Sequence, residues 1–86
     1  MSGEVRGKNL MGKTIVSEEE GKRFGEVADM SFVSGTGELM NILIENATPH
    51  IEELQLQEDR KGRYLVPFSA VKSVGDFVIV SADSIV

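Results

Sequence analysis

The side chains that can perform chemistry are few, and their spacing fits no known centre. His50 is the only histidine; it follows Pro49, and the chain contains no cysteine. Metal sites usually draw several ligands from histidine, cysteine and carboxylates, so a lone histidine predicts a surface loop. The acidic pairs Glu52-Glu53 and Glu58-Asp59 lack the spacing of a calcium-binding loop and are interpreted as solvated charges. No metal site is predicted.

Patterns for nucleophilic catalysis and phosphate binding are equally weak. Ser17, Ser69 and Ser73 have no histidine placed to activate them. Gly35-x-Gly37 is followed by no helical pattern, and a phosphate cradle needs the N-terminus of a helix. Asp29 lies in a predicted strand, where we expect its carboxylate to accept hydrogen bonds from nearby backbone amides. The sequence therefore predicts no enzymatic activity and no cofactor.

The composition is that of one small folded domain. The chain has 86 residues, 41% of them hydrophobic, and its nine basic and fourteen acidic residues give a net charge of −5. This balance disfavours DNA binding, because affinity for phosphates comes from clustered lysine and arginine. No segment has the length of a transmembrane helix, and the N-terminus lacks the apolar core of a signal peptide. We expect a cytoplasmic protein without direct membrane insertion.

Apolar side chains alternate in a way that predicts short strands rather than helices. The central feature is a hairpin in which Phe24–Phe32 and Leu39–Ile44 are strands and Ser34–Gly37 is the turn. Gly25 inside a strand predicts a bulge or a sharp bend. Phe68–Ala70 is expected to be a turn or a single helical turn. Six such strands predict an all-β fold, either a small barrel or a curled sandwich.

The domain is predicted to span residues 10–81. Residues 1–9 are polar and contain glycine, and are expected to form a flexible lead-in. Residues 82–86 form a C-terminal tail, in which Ile85 and Val86 are expected to dock onto this protein or a partner, by adding backbone to a sheet edge.

Several spaced elements resemble the PRC-barrel family. They are Gly25-Glu26-Val27-x-Asp29, the turn Thr36-Gly37-Glu38, and Tyr64-Leu65-Val66-Pro67-Phe68-x-x-Val71-x-x-Val74-Gly75-Asp76. The resemblance runs from about Leu10 to Val80. It implies a small six-stranded PRC-type β-barrel that serves as a protein-interaction module, with no catalytic residues or cofactor of its own.

Within that family, the chain resembles stand-alone archaeal proteins that act in cell division beside the tubulin-like protein FtsZ and its membrane anchor SepF. This implies an adaptor at the division site, with SepF or another PRC-barrel protein as its partner. The alternative is a ribosome-assembly or RNA-associated factor resembling the PRC-barrel half of RimM, whose N-terminal domain has no counterpart in this sequence. Only the basic turn Arg60-Lys61-Gly62-Arg63 supports it locally, and a solvated turn explains those charges equally well.

Surplus apolar side chains predict self-association into a dimer or larger assembly. Met40, Ile42 and Ile44 share one side of their strand and are assigned to the core with Phe24, Met30 and Phe32, so Leu39 and Leu43 are expected to face outward. The predicted interface comprises Val27, Leu39, Asn41 and Leu43, with Ile85 and Val86 from the tail. Accordingly, a charge at Leu43 is expected to leave a folded monomer, whereas a charge at Ile42 is expected to unfold the protein.

Overall fold

Seven strands form one sheet in the computed structural model, which describes residues 10–85. They are β1 (Thr14–Ser17), β2 (Arg23–Phe32), β3 (Leu39–Glu45), β4 (Gln57–Glu58), β5 (Tyr64–Pro67), β6 (Val71–Val74) and β7 (Phe77–Val80). Short 3₁₀ segments cover Pro49–Leu54, Phe68–Ala70 and Ala82–Ser84. The all-β prediction and the helical turn at Phe68–Ala70 are confirmed. The lead-in predicted for residues 1–9 lies outside the described residues.

The sheet is curled but not closed. Its strands are ordered β4-β5-β3-β2-β1-β7-β6, so β4 and β6 are its two edges. All neighbouring strands are antiparallel except β1 and β7, which are parallel. The predicted count of six strands is too low by one. Among residues 10–85, no helix is long and apolar enough to cross a membrane.

The segment between β3 and β5 differs from its predicted form. Alternating leucines at 54 and 56 predict a one-sided strand, but Pro49–Leu54 is a 3₁₀ segment and only Gln57–Glu58 are in a strand. Residues three apart lie on the same side of a 3₁₀ helix, which lets Ile51 and Leu54 both enter the core. This segment covers the open side of the curled sheet.

The core contains aliphatic side chains from most strands. The side chains that are almost completely buried are Leu10, Ile15, Val27, Ile42, Ile44, Val66, Val78 and Val80. Residues on both sides of the alternation are present because β2 and β3 are irregular and because β3 lies between β2 and β5.

Gly25 lies where β2 bends against the end of β3. The pairing of β1 with β2 shifts by one residue at this point, which is the predicted bulge. A Cβ atom at residue 25 would overlap the Ile44 Cγ2 methyl and lie 2.9 Å from the Glu45 carbonyl oxygen. Glycine is therefore required for the close approach of the two strands.

Candidate protein-interaction surface

The lone histidine belongs to a surface ion cluster. His50 Nδ1 lies 3.3 Å from Glu53 Oε2, and Lys22 Nζ lies 3.3 Å from the same oxygen and 2.8 Å from Glu20 Oε2. The contact with His50, followed by that with Lys22, lowers the pKa of Glu53. Exposed ion pairs contribute little to stability. No group of three or more histidines, aspartates and glutamates within residues 10–85 is placed to hold a metal ion.

One of the three consecutive glutamates in the β1–β2 turn has a structural contact that the sequence does not reveal. Glu19 accepts hydrogen bonds from Ser81 Oγ at 2.8 Å and from the Ala82 backbone N–H at 3.1 Å. These bonds lower the pKa of Glu19, the contact with Ser81 contributing most. The carboxylate thus joins this turn to the start of the last 3₁₀ segment.

Aspartate side chains organise the turn between β4 and β5. Asp59 Oδ1 accepts hydrogen bonds from the backbone N–H groups of Lys61 (2.9 Å) and Arg63 (2.8 Å), and Oδ2 lies 3.0 Å from Arg63 Nε. These contacts lower the pKa of Asp59, the Arg63 backbone N–H contributing most. The Arg63 charge is therefore already paired, which leaves Arg60 and Lys61 as the exposed cations of this basic turn.

Asp29 binds a backbone amide, as predicted. Its Oδ1 accepts a hydrogen bond from the Met30 N–H at 2.8 Å, and its Oδ2 lies 3.9 Å from Arg63 NH1. The side chain is exposed, and an exposed carboxylate next to an arginine is an ordinary surface charge. Its place on β2 is nevertheless important for the surface described next.

The outward orientation predicted for Val27 and Leu43 is wrong, since only 1% of Val27 and 6% of Leu43 are exposed. Val27 pairs with Ile44 and Met30 pairs with Ile42, although Val27 and Met30 differ in parity. An extra residue, Ala28, is inserted between these pairs and reverses the alternation along β2, which turns Val27 into the core.

Leu43 is on the opposite side of β3 from Ile42, as the alternation predicts, but it is covered there. Its register partners are Asp29 on β2 and Leu65 on β5, so a strand lies on each side of it. A side chain in the middle of three strands is shielded by its neighbours even on the outer face of a sheet. Leu43 therefore contributes to stability rather than to an exposed interface.

The other predicted interface residues are half-buried. Leu39 packs against the core, and Asn41 Nδ2 donates a hydrogen bond to Ser31 Oγ at 3.3 Å. Ile85 also packs against the core and, with Asn41, borders a groove of about 290 Å³. The remaining lining residues are Gln55, Leu56, Gln57, Leu65 and Pro67. Val86 lies outside the described residues.

A different set of apolar side chains is exposed at the far end of the β2–β3 hairpin. Phe32 is 49% exposed, Val33 39% and Met40 48%; these three residues are called the hairpin-end patch. The assignment of Phe32 and Met40 to the core is wrong because the hairpin extends beyond its neighbours. The pairing of β5 with β3 ends at Asn41, and the pairing of β1 with β2 ends at Glu26.

Sequence reasoning did not single out Val33, and alternation alone placed its two companions on the wrong side of the surface. The available signal is length, since β2 has ten residues whereas β1 and β5 have four each. A long hairpin between short strands must extend past them. At a different site, the first residue of β7, Phe77 is 52% exposed and provides a comparison for the hairpin-end patch.

The comparisons with known proteins agree with this architecture. The PRC-barrel domain family model matches residues 2–85, which is nearly the whole chain. None of the curated proteins gave a significant match to the chain.

Proposed function

The chain belongs to the PRC-barrel domain family, a small non-catalytic module, and on that premise we propose that it is a protein-interaction adaptor in the FtsZ-based division machinery of archaea. In this role it links the membrane anchor SepF to other division proteins, including a further PRC-barrel protein. The hairpin-end patch is the observation that carries the proposal. Three large apolar side chains on one exposed hairpin are the kind of surface that a partner covers.

The same observation predicts how the partner is bound. Phe32, Val33 and Met40 carry no charge, so hydrophobic burial supplies most of the affinity and added salt has little effect. Contacts made by the basic turn at Arg60 and Lys61 would instead weaken steeply with salt, as contacts to phosphates do. The salt dependence therefore separates an adaptor that uses the hairpin end from an RNA-associated factor that uses the basic turn.

Binding of the purified chain to SepF from the same organism tests this proposal. Titration calorimetry is expected to give a dissociation constant in the micromolar range or below, changing less than about threefold between 0.1 and 0.5 M salt. A small-subunit ribosomal protein and ribosomal RNA serve as comparison ligands and are expected not to bind. Binding to either of these without binding to SepF would overturn the division role in favour of ribosome assembly.

A further inference from the structure

The outer half of β2 has an open backbone edge. Among residues 10–85, β1 pairs with β2 only as far as Glu26, and the backbone contacts from residues 12 and 13 reach only Val27. From Ala28 to Phe32, β2 pairs with β3 alone; these five residues are called the β2 open edge. An unpaired edge presents N–H and C=O groups that another strand can bind.

The other two edges of the sheet are protected, and the β2 open edge is not. Strand β4 has only two residues and leads into a charged turn, and β6 has four residues with Lys72 among them. Short edge strands and lysines are devices that prevent edge pairing. The β2 open edge contains no lysine and no proline, and its single charge, Asp29, lies 3.9 Å from Arg63.

We infer that the β2 open edge is an interface with a second copy of this chain, in which the two edges pair antiparallel about a two-fold axis at Met30. The irregularities of β2 fall between Val27 and Asp29 and between Ser31 and Phe32, so Asp29 to Ser31 is the regular stretch and Met30 its centre. A two-fold axis brings the same patch of both copies together, which makes the contact self-limiting.

Charge favours this register over its neighbours. With the axis at Met30, each Asp29 lies opposite Ser31 of the other copy, and the hydroxyl can donate to the carboxylate. A shift of the axis to Asp29 would place the two carboxylates directly opposite each other, which is destabilising. The shift is thus disfavoured even in a chain whose net charge is −5.

The hairpin-end patch supplies the apolar part of the same interface. Phe32 ends the β2 open edge, and Val33 and Met40 are adjacent to it on the hairpin. A stable interface buries about 800 Å² on each partner. Three half-exposed side chains supply only a fraction of that area, so backbone pairing and the half-buried Met30 must supply the rest. Edge and patch are therefore one interface.

This inference deepens the proposed function and rests on it only in treating the hairpin end as an interaction surface. A homodimer presents two copies of every other surface, including the groove beside Ile85. The adaptor would then bind its partners bivalently, with an apparent affinity above that of a single contact.

Single-cysteine cross-linking tests the register, because the chain contains no cysteine of its own. In the inferred dimer the two residues at position 30 face each other, so Met30→Cys is expected to form a disulfide-linked dimer on mild oxidation. Ala28→Cys is the matched control. Its two sulfurs belong to strands offset by four residues, or about 14 Å, which is beyond the roughly 7 Å limit for bridged Cα atoms.

A second pair of variants guards against a folding defect at the half-buried Met30. Asp29→Cys and Ser31→Cys are each expected to stay mostly uncross-linked alone and to form a heterodimer when mixed. Equal cross-linking of Ala28→Cys and Met30→Cys, or a wild-type chain that is monomeric by light scattering at 100 μM or so, would overturn the inference. Salt-resistant SepF binding by such a monomer would leave the proposed function intact.

Discussion

Leu43→Glu is expected to unfold the protein rather than to release a folded monomer. Leu43 is 6% exposed between β2 and β5, and its two neighbours Ile42 and Ile44 are buried as well. A carboxylate placed there must either lose its hydration or push the three strands apart. The expected loss is about 4 kcal/mol or more, which is close to the whole stability of a small domain.

Two matched variants separate the effect of the charge from that of the strand. Leu43→Met keeps the volume and is expected to cost less than about 1.5 kcal/mol. Met40→Glu places the same charge three residues away on β3, where the side chain is exposed, and is expected to fold normally. Circular dichroism and urea unfolding of the three variants provide the readout. Wild-type stability of Leu43→Glu would show that Leu43 faces solvent, as the alternation alone predicts.

Gly25→Ala is expected to be the most damaging single-methyl change in the chain. The added Cβ would overlap Ile44 Cγ2 and lie 2.9 Å from the Glu45 carbonyl oxygen and 3.3 Å from the Ala47 Cα. Two of these three atoms are backbone, so β2 and β3 must separate locally to admit it. We expect a loss of roughly 3 kcal/mol in the free energy of unfolding.

Gly35→Ala is the control for this substitution. Gly35 has a φ of +93°, and a Cβ atom added to it would have no neighbouring atom within 4 Å, so its replacement strains the backbone without a steric clash. A loss of about 1 kcal/mol is expected there. Urea midpoints of the two variants compare clash with strain directly, and equal losses would argue against close packing of β2 on β3 at Gly25.

The hairpin and its core-facing residues could be predicted because they depend on local patterns. Ile42 and Ile44 alternate within one regular strand, and both are buried. The helical turn at Phe68–Ala70 follows from Pro67, which stops the preceding strand. In each case neighbours in the sequence are enough to determine the outcome.

The features that escaped prediction depend on distant parts of the chain. One inserted residue, Ala28, reverses the alternation of β2 and turns Val27 inward, and nothing in its side chain marks it as a bulge. Exposure of Phe32 and Met40 depends on where β1 and β5 stop. The contact of Glu19 with Ser81 joins residues 62 apart. Such facts follow from strand pairing, which alternation alone does not determine.

The claim that the hairpin end is the interaction surface has a direct test in two equivalent phenylalanines. Phe32 and Phe77 are 49% and 52% exposed, and both stand at a strand end, but only Phe32 belongs to the hairpin-end patch. Phe32→Glu and Phe77→Glu therefore add the same charge to comparable surroundings. Both variants are expected to fold, which circular dichroism verifies first.

Titration of SepF into each variant is the decisive measurement. We expect Phe32→Glu to weaken binding by about 30-fold or more, as loss of a central aromatic contact does, and Phe77→Glu to bind within about twofold of the wild type. Unchanged binding by Phe32→Glu, or a greater loss for Phe77→Glu, would contradict the assignment of the interaction surface to the hairpin end.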